Sequence, residues 1–269
     1  MEKWQKLCLI SELSIQKTLD CGQCFRWEET DGVWRGAAFG RTLRLAERGD
    51  TVETDAPEAD LPLWREYFDL GTGYAEIAKR VASGEFMTAA AEFSAGLRIL
   101  RQEPWEALCS FIVSQCNNIP RIKKIIAELC RLFGDPLGGG MYAFPAARTL
   151  AGLSEADLAP LRSGYRAKYI IEAAKAAADG GLDLDALREA DCGDALRELM
   201  RLPGVGLKVA SCAALFGLRQ YDAFPVDTWV KKALREYFPP DFDHRVFSPW
   251  AGVAQQYMFY YIRHLQSKN

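Results

Sequence analysis

The order of apolar and polar residues changes character along the chain. Before about residue 95, short β-rich segments such as 33–35, 42–45 and 51–54 are separated by Gly and Asp residues at 31–32, 40 and 49–50. Segments of this kind are typical of antiparallel strands joined by hairpins. Residues 1–98 are therefore predicted to form a small α+β domain built on an antiparallel sheet.

Helical periodicity dominates the remainder. Pro104 suits the first position of a helix, and residues 122–133 repeat the i, i+3, i+4, i+7 spacing of a helix with one buried face. Residues 168–178 are rich in alanine, and residues 154–157 resemble a capping box. Residues 99–269 are thus predicted to be a helical bundle, which makes the fold class α+β.

The composition is that of a folded globular protein. Of the 269 residues, 49% are apolar and 26% are charged, which suits one large domain or two modest ones. No apolar run approaches the roughly 18 residues of a membrane span, and the first residues lack the pattern of a secretion signal. We expect no membrane partner and, in a bacterium, a cytoplasmic, nucleoid-associated location.

The eight cysteines and two histidines restrict the candidate chemistry. Cys21 and Cys24 have CxxC spacing, but a structural zinc needs four ligands, and the histidines, His244 and His264, lie far along the chain. We expect reduced, buried thiols and no metal held by side chains. The shortage of histidine also disfavours Ser-His-Asp and Cys-His catalysis, which leaves Lys, Asp and Glu as candidate catalytic residues.

Charge is unevenly distributed although the net charge is only −3. Residues 46–76 hold nine acids and two bases, a net of −7, whereas residues 197–235 hold seven bases and three acids, a net of +4. Residues 117–131 and 162–175 are each +3. Clustered bases can form a surface for phosphates, but solvated helix faces give the same pattern, so charge leaves both interpretations open.

The most informative segment is residues 199–218, LMRLPGVGLKVASCAALFGL. Its two predicted helices are separated by a few residues that include Gly204 and Gly206, which would leave backbone N–H groups open to a phosphate. An ordinary helix–helix corner is the alternative. Lys208 follows the turn among apolar residues, where partial desolvation would favour a neutral, nucleophilic amine.

Asp227 stands directly before another helical stretch, nineteen residues after Lys208. An aspartate at such a place usually caps the helix. Beside Lys208 it would also steer protons or stabilise a developing cation, so the pair would form a nucleophile with its carboxylate. The sequence leaves both roles open.

The motif L-P-G-V-G-x-K-V-A followed by F-P-V-D resembles the helix-hairpin-helix, Gly/Pro-rich loop and Asp (HhH-GPD) signature of base-excision DNA glycosylases. In that superfamily the lysine marks bifunctional members. Four further segments are similar, in family order, to the 8-oxoguanine DNA glycosylase/lyase family in its bacterial branch: GQCFRW (22–27), FIVSQCNNIPR (111–121), GYRAKY (164–169) and AGVAQQYMF (251–259). The resemblance covers nearly the whole chain.

The resemblance implies a sheet domain like that of the TATA-box-binding protein, joined to helical domains with the active site between them. Lys208 matches the Schiff-base nucleophile and Asp227 the catalytic aspartate. Four residues match the pocket of the extruded base: its two stacking faces (Cys212 and Phe259), the reader of its Watson–Crick edge (Gln255), and the carbonyl that accepts the N7–H found in 8-oxoguanine but not in guanine (Gly22).

Other matching residues lie on the implied DNA-binding surface. Tyr165 matches the wedge at the vacated stack, and Arg121 and Arg166 match the pair that holds the estranged cytosine. Asn117 and Asn118 match two of three consecutive family asparagines, and Cys116 replaces the first. Since that amide is missing, we expect a preference for cytosine that is looser than in members with all three.

The turn at residues 202–205, with Gly204 and Gly206, matches the hairpin that contacts phosphate in the family and often holds a cation through main-chain carbonyls. The resemblance implies a monomeric enzyme that acts on double-stranded DNA containing 8-oxoguanine and requires no cofactor. Two alternatives stay open. One is a non-catalytic helix-hairpin-helix DNA-binding protein, and the other is a monofunctional alkylpurine glycosylase, a family that lacks the lysine.

Overall fold

The computed structural model of the protein describes residues 4–267. Its amino-terminal part contains a five-stranded sheet whose neighbouring strands are all antiparallel, in the order β1-β5-β4-β3-β2. The strands are β1 (Gln5–Leu9), β2 (Trp27–Thr30), β3 (Val33–Ala38), β4 (Arg41–Arg48) and β5 (Thr51–Thr54). The predicted antiparallel strands are confirmed, while β1 is an addition that the sequence pattern did not indicate.

The hairpin turns lie where the sequence predicts them. Gly32, Gly40 and Gly49 have φ angles of 77°, 66° and 62°, in the left-handed region that tight hairpins require and that glycine adopts without strain. Two residues separate β2 from β3, β3 from β4 and β4 from β5. These short connections fix the register of the meander.

Helices make up most of the remaining described residues. A second, two-stranded sheet is the hairpin formed by β6 (Pro136–Gly138) and β7 (Met141–Tyr142). The helices are α1 (Ile15–Leu19), α2 (Leu61–Tyr67), α3 (Tyr74–Val81), α4 (Gly84–Phe93), α5 (Pro104–Ser114), α6 (Ile119–Phe133), α7 (Ala147–Ala151), α8 (Arg166–Ala178), α9 (Leu184–Glu189), α10 (Cys192–Leu199), α11 (Leu207–Gly217), α12 (Thr228–Tyr237) and α13 (Ala251–Ser267). The α+β fold class is confirmed.

The buried side chains form two cores. The smaller lies between the sheet and α2 and contains the large aromatic residues Trp27, Trp64 and Phe68. The larger fills the helical part, and it includes Ile77 and Met87 of α3 and α4. Those two helices therefore precede the predicted boundary at residue 98 but pack with the helical part, and the boundary itself stays a prediction.

The Ser154–Asp157 segment forms the reciprocal hydrogen bonds of a capping box without starting an α-helix. The Ser154 N–H donates to Asp157 Oδ2 at 2.8 Å, and the Asp157 N–H donates to Ser154 Oγ at 3.4 Å. Turns and a short 3₁₀ helix (Ala159–Leu161) follow. Within residues 4–267, no helix combines the length and apolar character needed to cross a bilayer.

Candidate active site and DNA-binding surface

Lys208 lies in the first turn of α11, where that helix packs against α5. It is half-buried. Its Nζ atom donates a hydrogen bond of 3.3 Å to Ser114 Oγ and lies 5.6 Å from the centroid of the Phe111 ring. An aromatic ring and a hydroxyl of α5 thus border the amine on one side, and its role as a neutral nucleophile stays a prediction.

Asp227 is the N-cap of α12, where its Oδ1 accepts a hydrogen bond of 2.8 Å from the Val230 N–H. Burial raises the pKa of this carboxyl, and the opposing effects of the Val230 N–H and the Lys208 cation are smaller. The capping role is thus present, and it fixes the carboxylate within electrostatic reach of the Lys208 amine. The two roles that the sequence left open are compatible.

Cys212 follows Lys208 by one helical turn and is buried on the same face of α11. Burial raises the pKa of its thiol to about 11, an effect that the nearby Lys208 cation only partly offsets. The side chain is therefore a neutral, polarisable sulfur at neutral pH. Such a group suits a stacking face and does not compete with the lysine as a nucleophile.

Gly22 lies in the loop after α1 with a φ angle of 78°. A Cβ atom at this position would lie 3.7 Å from Cε1 and Cζ of Phe259 on α13 and 3.8 Å from Cδ1 of Ile119. Gly22 and Phe259 are therefore direct neighbours. The structure brings together the predicted carbonyl and one predicted stacking face, which are 237 positions apart in the chain.

Buried glutamines hold the Gly22 loop in place. Gln23 Nε2 donates to the Thr18 and Arg98 carbonyls at 2.8 and 2.7 Å, and Gln23 Oε1 accepts from the Leu100 N–H at 2.8 Å. Gln256 Nε2 donates to the Cys21 carbonyl at 2.9 Å. These positioning residues were not identified from the sequence, although Gln23 and Gln256 lie inside the quoted family segments.

Gln255 is 3% exposed, and its Oε1 has no hydrogen-bond donor among the described residues. Leaving a buried acceptor without a partner costs about 1–3 kcal/mol. A ligand that presents N–H groups to Oε1 would recover this energy. The predicted role of Gln255 in reading a base edge is consistent with this open acceptor.

The side chains of Asn117 and Asn118 are engaged with their own backbone. Asn118 is the N-cap of α6, and its Oδ1 accepts from the Arg121 N–H at 3.0 Å. Asn117 Nδ2 donates to the Val113 carbonyl at 3.2 Å, and its Oδ1 accepts from the Asn118 N–H at 3.1 Å. The exposed Cys116 precedes them with a φ angle of 46°.

Arg121, Tyr165 and Arg166 border the same loop. Arg121 is exposed and donates to the Arg162 carbonyl at 3.1 Å. Tyr165 is 51% exposed, and its ring centroid lies 4.5 Å from Cζ of Arg166. The predicted wedge is thus one of the exposed large side chains of the protein.

Arg166 is 4% exposed, and main-chain carbonyls occupy its guanidinium. Its Nε donates to the Gln115 carbonyl at 2.9 Å, Nη1 to Ser163 at 3.1 Å and Nη2 to Cys116 at 3.2 Å. To bind a cytosine, Arg166 would have to exchange some of these bonds. Its role in reading the estranged base stays a prediction.

The two glycines of the hairpin between α10 and α11 differ in backbone conformation and in surroundings. Gly204 has a φ angle of 77°, and a Cβ atom there would lie 2.3 Å from Cδ2 of Tyr169. Gly206 is the N-cap of α11, and nothing lies within 4 Å of where its Cβ would be. Gly204 is therefore required by turn geometry and by Tyr169, whereas the space around Gly206 is open; phosphate binding at this helix N-terminus stays a prediction.

All eight cysteines are free thiols. Six are buried, as expected, whereas Cys116 is exposed and Cys192 is half-buried. Cys21 and Cys24 are buried and donate to the Thr18 and Leu19 carbonyls at 3.2 and 3.6 Å. In the described part of the chain, no group of three or more His, Cys, Asp or Glu side chains could hold a metal ion. The expectation concerning a main-chain cation at the hairpin stays a prediction.

Comparison with known families gives two matches that together span most of the chain. Residues 7–108 match the N-terminal domain of 8-oxoguanine DNA glycosylase, and residues 109–245 match the HhH-GPD superfamily of base excision DNA repair proteins. The N-glycosylase/DNA lyase OGG1 of Arabidopsis thaliana is 34% identical over an alignment of 269 positions, gaps included, which covers 89% of this chain and 70% of that protein. The N-glycosylase/DNA lyase of Saccharomyces cerevisiae is 33% identical over an alignment of 267 positions, gaps included, which covers 84% of this chain and 69% of that protein.

Solved structures show the same fold. The Clostridium acetobutylicum 8-oxoguanine glycosylase/lyase, in complex with double-stranded DNA containing cytosine opposite 8-oxoguanine, superposes with a TM-score of 0.89 at 35% identity and covers 95% of this chain and 93% of its own. The 3-methyladenine DNA glycosylase of Archaeoglobus fulgidus has a TM-score of 0.70 at 20% identity, which shows a shared fold. The chain therefore belongs to the HhH-GPD superfamily of base excision DNA repair proteins and carries the N-terminal domain of 8-oxoguanine DNA glycosylases, as its sequence motifs implied.

Proposed function

We propose that the protein is a bifunctional DNA glycosylase/AP lyase that removes 8-oxoguanine from duplex DNA. The observation that carries this proposal is the position of Lys208, half-buried against α5, within electrostatic reach of Asp227 and one turn from Cys212. The relatives named N-glycosylase/DNA lyase and the glycosylase/lyase from Clostridium acetobutylicum support the same activity.

Base recognition requires the nucleotide to leave the duplex, because C1′ of a stacked nucleotide is inaccessible. Extrusion costs a few kcal/mol, and stacking on an aromatic face returns about 1–3 kcal/mol per base. We call the receiving site the lesion pocket; it is formed by Gly22, Lys208, Cys212, Asp227, Gln255 and Phe259. Phe259 beside Gly22 would stack on the base, with Cys212 as the opposite face.

Selectivity would come from the Gly22 carbonyl. In 8-oxoguanine N7 carries a hydrogen and donates to this oxygen, whereas in guanine N7 presents a lone pair to it. The open Oε1 of Gln255 would accept an N–H of the Watson–Crick edge. The first interaction therefore separates damaged from undamaged guanine, and the second adds affinity for whichever of these bases is extruded into the pocket.

The chemistry conserves electrons and needs no cofactor. The Lys208 amine attacks C1′ as the N-glycosidic bond breaks, and the base leaves with the electron pair and takes up a proton. The Asp227 carboxylate stabilises the positive charge that develops on the sugar. Loss of a proton from the attached amine and opening of the sugar ring then give an imine. Removal of a C2′ proton expels the 3′ phosphate. Hydrolysis of the imine by water finally releases the lysine.

The second part of the DNA interface would hold the strand opposite the lesion. We call it the opposite-base cluster, namely Asn117, Asn118, Arg121, Tyr165 and Arg166. Arginine donors suit the O2 and N3 acceptors of an unpaired cytosine. The hairpin at residues 202–205 would contact a phosphate, with or without a cation on its carbonyls, and the protein would act as a monomer in the cytoplasm.

Borohydride trapping on matched duplexes tests the proposal. A duplex with 8-oxoguanine opposite cytosine should give a covalent complex and a cleaved strand, while the guanine duplex gives neither. Release of the base without trapping would favour a monofunctional glycosylase. Binding with neither release nor trapping would favour a non-catalytic helix-hairpin-helix protein, in which Lys208 merely contacts phosphate.

A further inference from the structure

Arg263 lies beside the lesion pocket, one turn after Phe259 on α13. Its guanidinium carbon is 5.2 Å from the centroid of the Phe259 ring. The positive charge is close enough to Asp227 and to Cys21 to lower the pKa values of both groups. Arg263 is therefore placed among the stacking ring, the catalytic carboxylate and the Gly22 loop.

The donors of Arg263 are free among residues 4–267. No carboxylate or carbonyl oxygen of these residues accepts a hydrogen bond from its guanidinium, although the side chain is half-buried. Arg98 also lies over an aromatic ring, at 4.7 Å from the Tyr74 centroid, yet it donates to the Asp69 and Thr72 carbonyls at 2.7 and 3.2 Å. Arg166 stacks on Tyr165 and is similarly bonded. Arg263 shares their stacking without their oxygen partners.

We propose that the Arg263 guanidinium binds one of the two phosphates that flank the extruded nucleotide. This assignment rests on the proposed function. The sugar whose C1′ faces Lys208 and Asp227 carries both phosphates, so a cation between Asp227 and Phe259 lies beside the path of the backbone. A guanidinium offers a planar fork of donors that matches a phosphate, and stacking on Phe259 restricts its orientation in advance.

The charges around Arg263 favour this ligand. Two cations, Lys208 and Arg263, act on Asp227, so positive charge exceeds negative charge around that carboxylate. A second carboxylate, Asp20, acts with Arg263 on Tyr260, on the side of the Gly22 loop. A phosphate would balance the excess positive charge around Asp227 where water is partly excluded. The interaction would hold the nucleotide by its backbone, independently of the base that Gln255 and Gly22 read.

A thermodynamic cycle tests the assignment. Dissociation constants are measured in the Lys208→Gln background, with and without Arg263→Gln, on 8-oxoguanine duplexes in which the 5′ or the 3′ flanking phosphate is an uncharged methylphosphonate. We expect Arg263→Gln to weaken binding about tenfold or more, as for a hydrogen bond between charged groups. Neutralising the contacted phosphate should weaken binding by the protein that retains Arg263 by the same factor. It should leave binding by the Arg263→Gln protein unchanged.

The control variant is Arg41→Gln, which changes an exposed arginine of β4 that pairs with Asp60 at 3.2 Å. The fold-change in dissociation constant that it causes should be the same on the unmodified duplex and on both methylphosphonate duplexes. If the fold-change caused by Arg263→Gln is likewise the same on all three duplexes, Arg263 binds neither phosphate and the assignment is wrong. Partial recovery of affinity by Arg263→Lys, which restores charge, supports it. If unsubstituted protein neither traps nor prefers 8-oxoguanine duplexes, the proposed function fails and the assignment with it; trapping without coupling overturns the assignment alone.

Discussion

The lesion pocket and the opposite-base cluster differ in how their polar groups are engaged. In the lesion pocket Gln255 keeps an open acceptor, and Lys208 contacts one hydroxyl, one ring and the Cys212 thiol. In the opposite-base cluster, by contrast, Arg166, Asn117 and Asn118 already bond to carbonyls and amides of their own chain. Binding a base in the lesion pocket therefore adds hydrogen bonds, whereas reading the opposite base with Arg166 requires bonds to be exchanged.

This difference predicts which of the two regions contributes more free energy to DNA binding. Adding a partner to an unsatisfied buried group is worth about 1–3 kcal/mol, whereas exchanging one satisfied hydrogen bond for another yields little. We therefore expect capture of an extruded base in the lesion pocket to be strong and selectivity for the opposite base to be weaker. The predictions below test the two regions in order of expected effect.

Lys208→Gln should have the largest effect. It removes the only amine of the lesion pocket, so base release and covalent trapping are abolished, while a side chain of similar length preserves lesion-DNA binding. Single-turnover cleavage and gel-shift titrations measure the two properties. Lys79→Gln, an exposed lysine of α3 that pairs with Glu76, is the matched control and should change neither. Cleavage by Lys208→Gln at a comparable rate would exclude Lys208 as the nucleophile.

Asp227→Asn should slow base release by about 10²–10³-fold, the range for removing one electrostatic stabiliser of a transition state. The same variant should be more stable at neutral pH, because burial raises the pKa of Asp227 and an amide still caps α12. An acid whose pKa is raised on folding stabilises the protein at low pH and loses that contribution as pH rises through the folded value. The gain in thermal midpoint should therefore vanish in acid.

The pH profile of the unsubstituted protein gives an independent check on Asp227. Since the carboxylate must be ionised to act, the single-turnover rate should fall on acidification at a pH above the ordinary aspartate pKa of 3.8. The Asp227→Asn protein should lack this limb. A single-turnover rate that Asp227→Asn leaves unchanged would remove the catalytic role and leave only the helix cap.

Phe259→Ala and Gln255→Ala should weaken capture of the lesion and leave salt-sensitive binding of undamaged duplex nearly intact. Loss of one stacking face costs about 1–3 kcal/mol, so Phe259→Ala should raise the dissociation constant roughly 5- to 150-fold. Loss of one hydrogen bond makes the effect of Gln255→Ala about tenfold. Equal losses on damaged and undamaged duplexes would contradict the assignment of both residues to base recognition.

Cys116→Asn should have the smallest effect, a few-fold sharper preference for cytosine opposite 8-oxoguanine. Asparagine supplies the missing amide and tolerates the left-handed backbone at this position, where φ is 46°. Single-turnover rates with C, T, G or A opposite the lesion measure it, and Cys116→Ser controls for size without the amide. Equal rates of the unsubstituted protein on all four duplexes would show that Arg121 and Arg166 do not read the base.

Local patterns predicted much of the fold. The glycine turns and the helix that Pro104 begins depend on neighbouring residues, and these elements are confirmed. The helical spacing of Tyr74, Ile77 and Val81 in α3 is also present in the sequence, but it lies before residue 95, in the part predicted to form strands. Strand β1 has only five residues and no flanking hairpin signal, so its pairing with β5 depends on the tertiary fold.

Some features of the candidate site were likewise predicted from the sequence, and others depend on the tertiary fold. Sequence motifs identified Lys208, Asp227 and Gly22. The structure places Asp227 near Lys208 and Gly22 beside Phe259, and their common role stays a prediction. The free guanidinium of Arg263 and the carbonyl-bound guanidinium of Arg166 were not predicted, because an arginine's partners come from segments distant in the chain. Gly204 is a similar case, since the ring that excludes its Cβ belongs to Tyr169 of α8.

Peptide mapping of the borohydride-reduced complex tests the central claim most directly, because it identifies the atom that attacks the sugar. The protein is trapped on an 8-oxoguanine duplex, digested, and the peptide that carries the sugar remnant is sequenced by mass spectrometry. The account predicts a single adduct on the ε-amino group of Lys208. An adduct on another residue, or base release and strand cleavage with no adduct on Lys208, would contradict it.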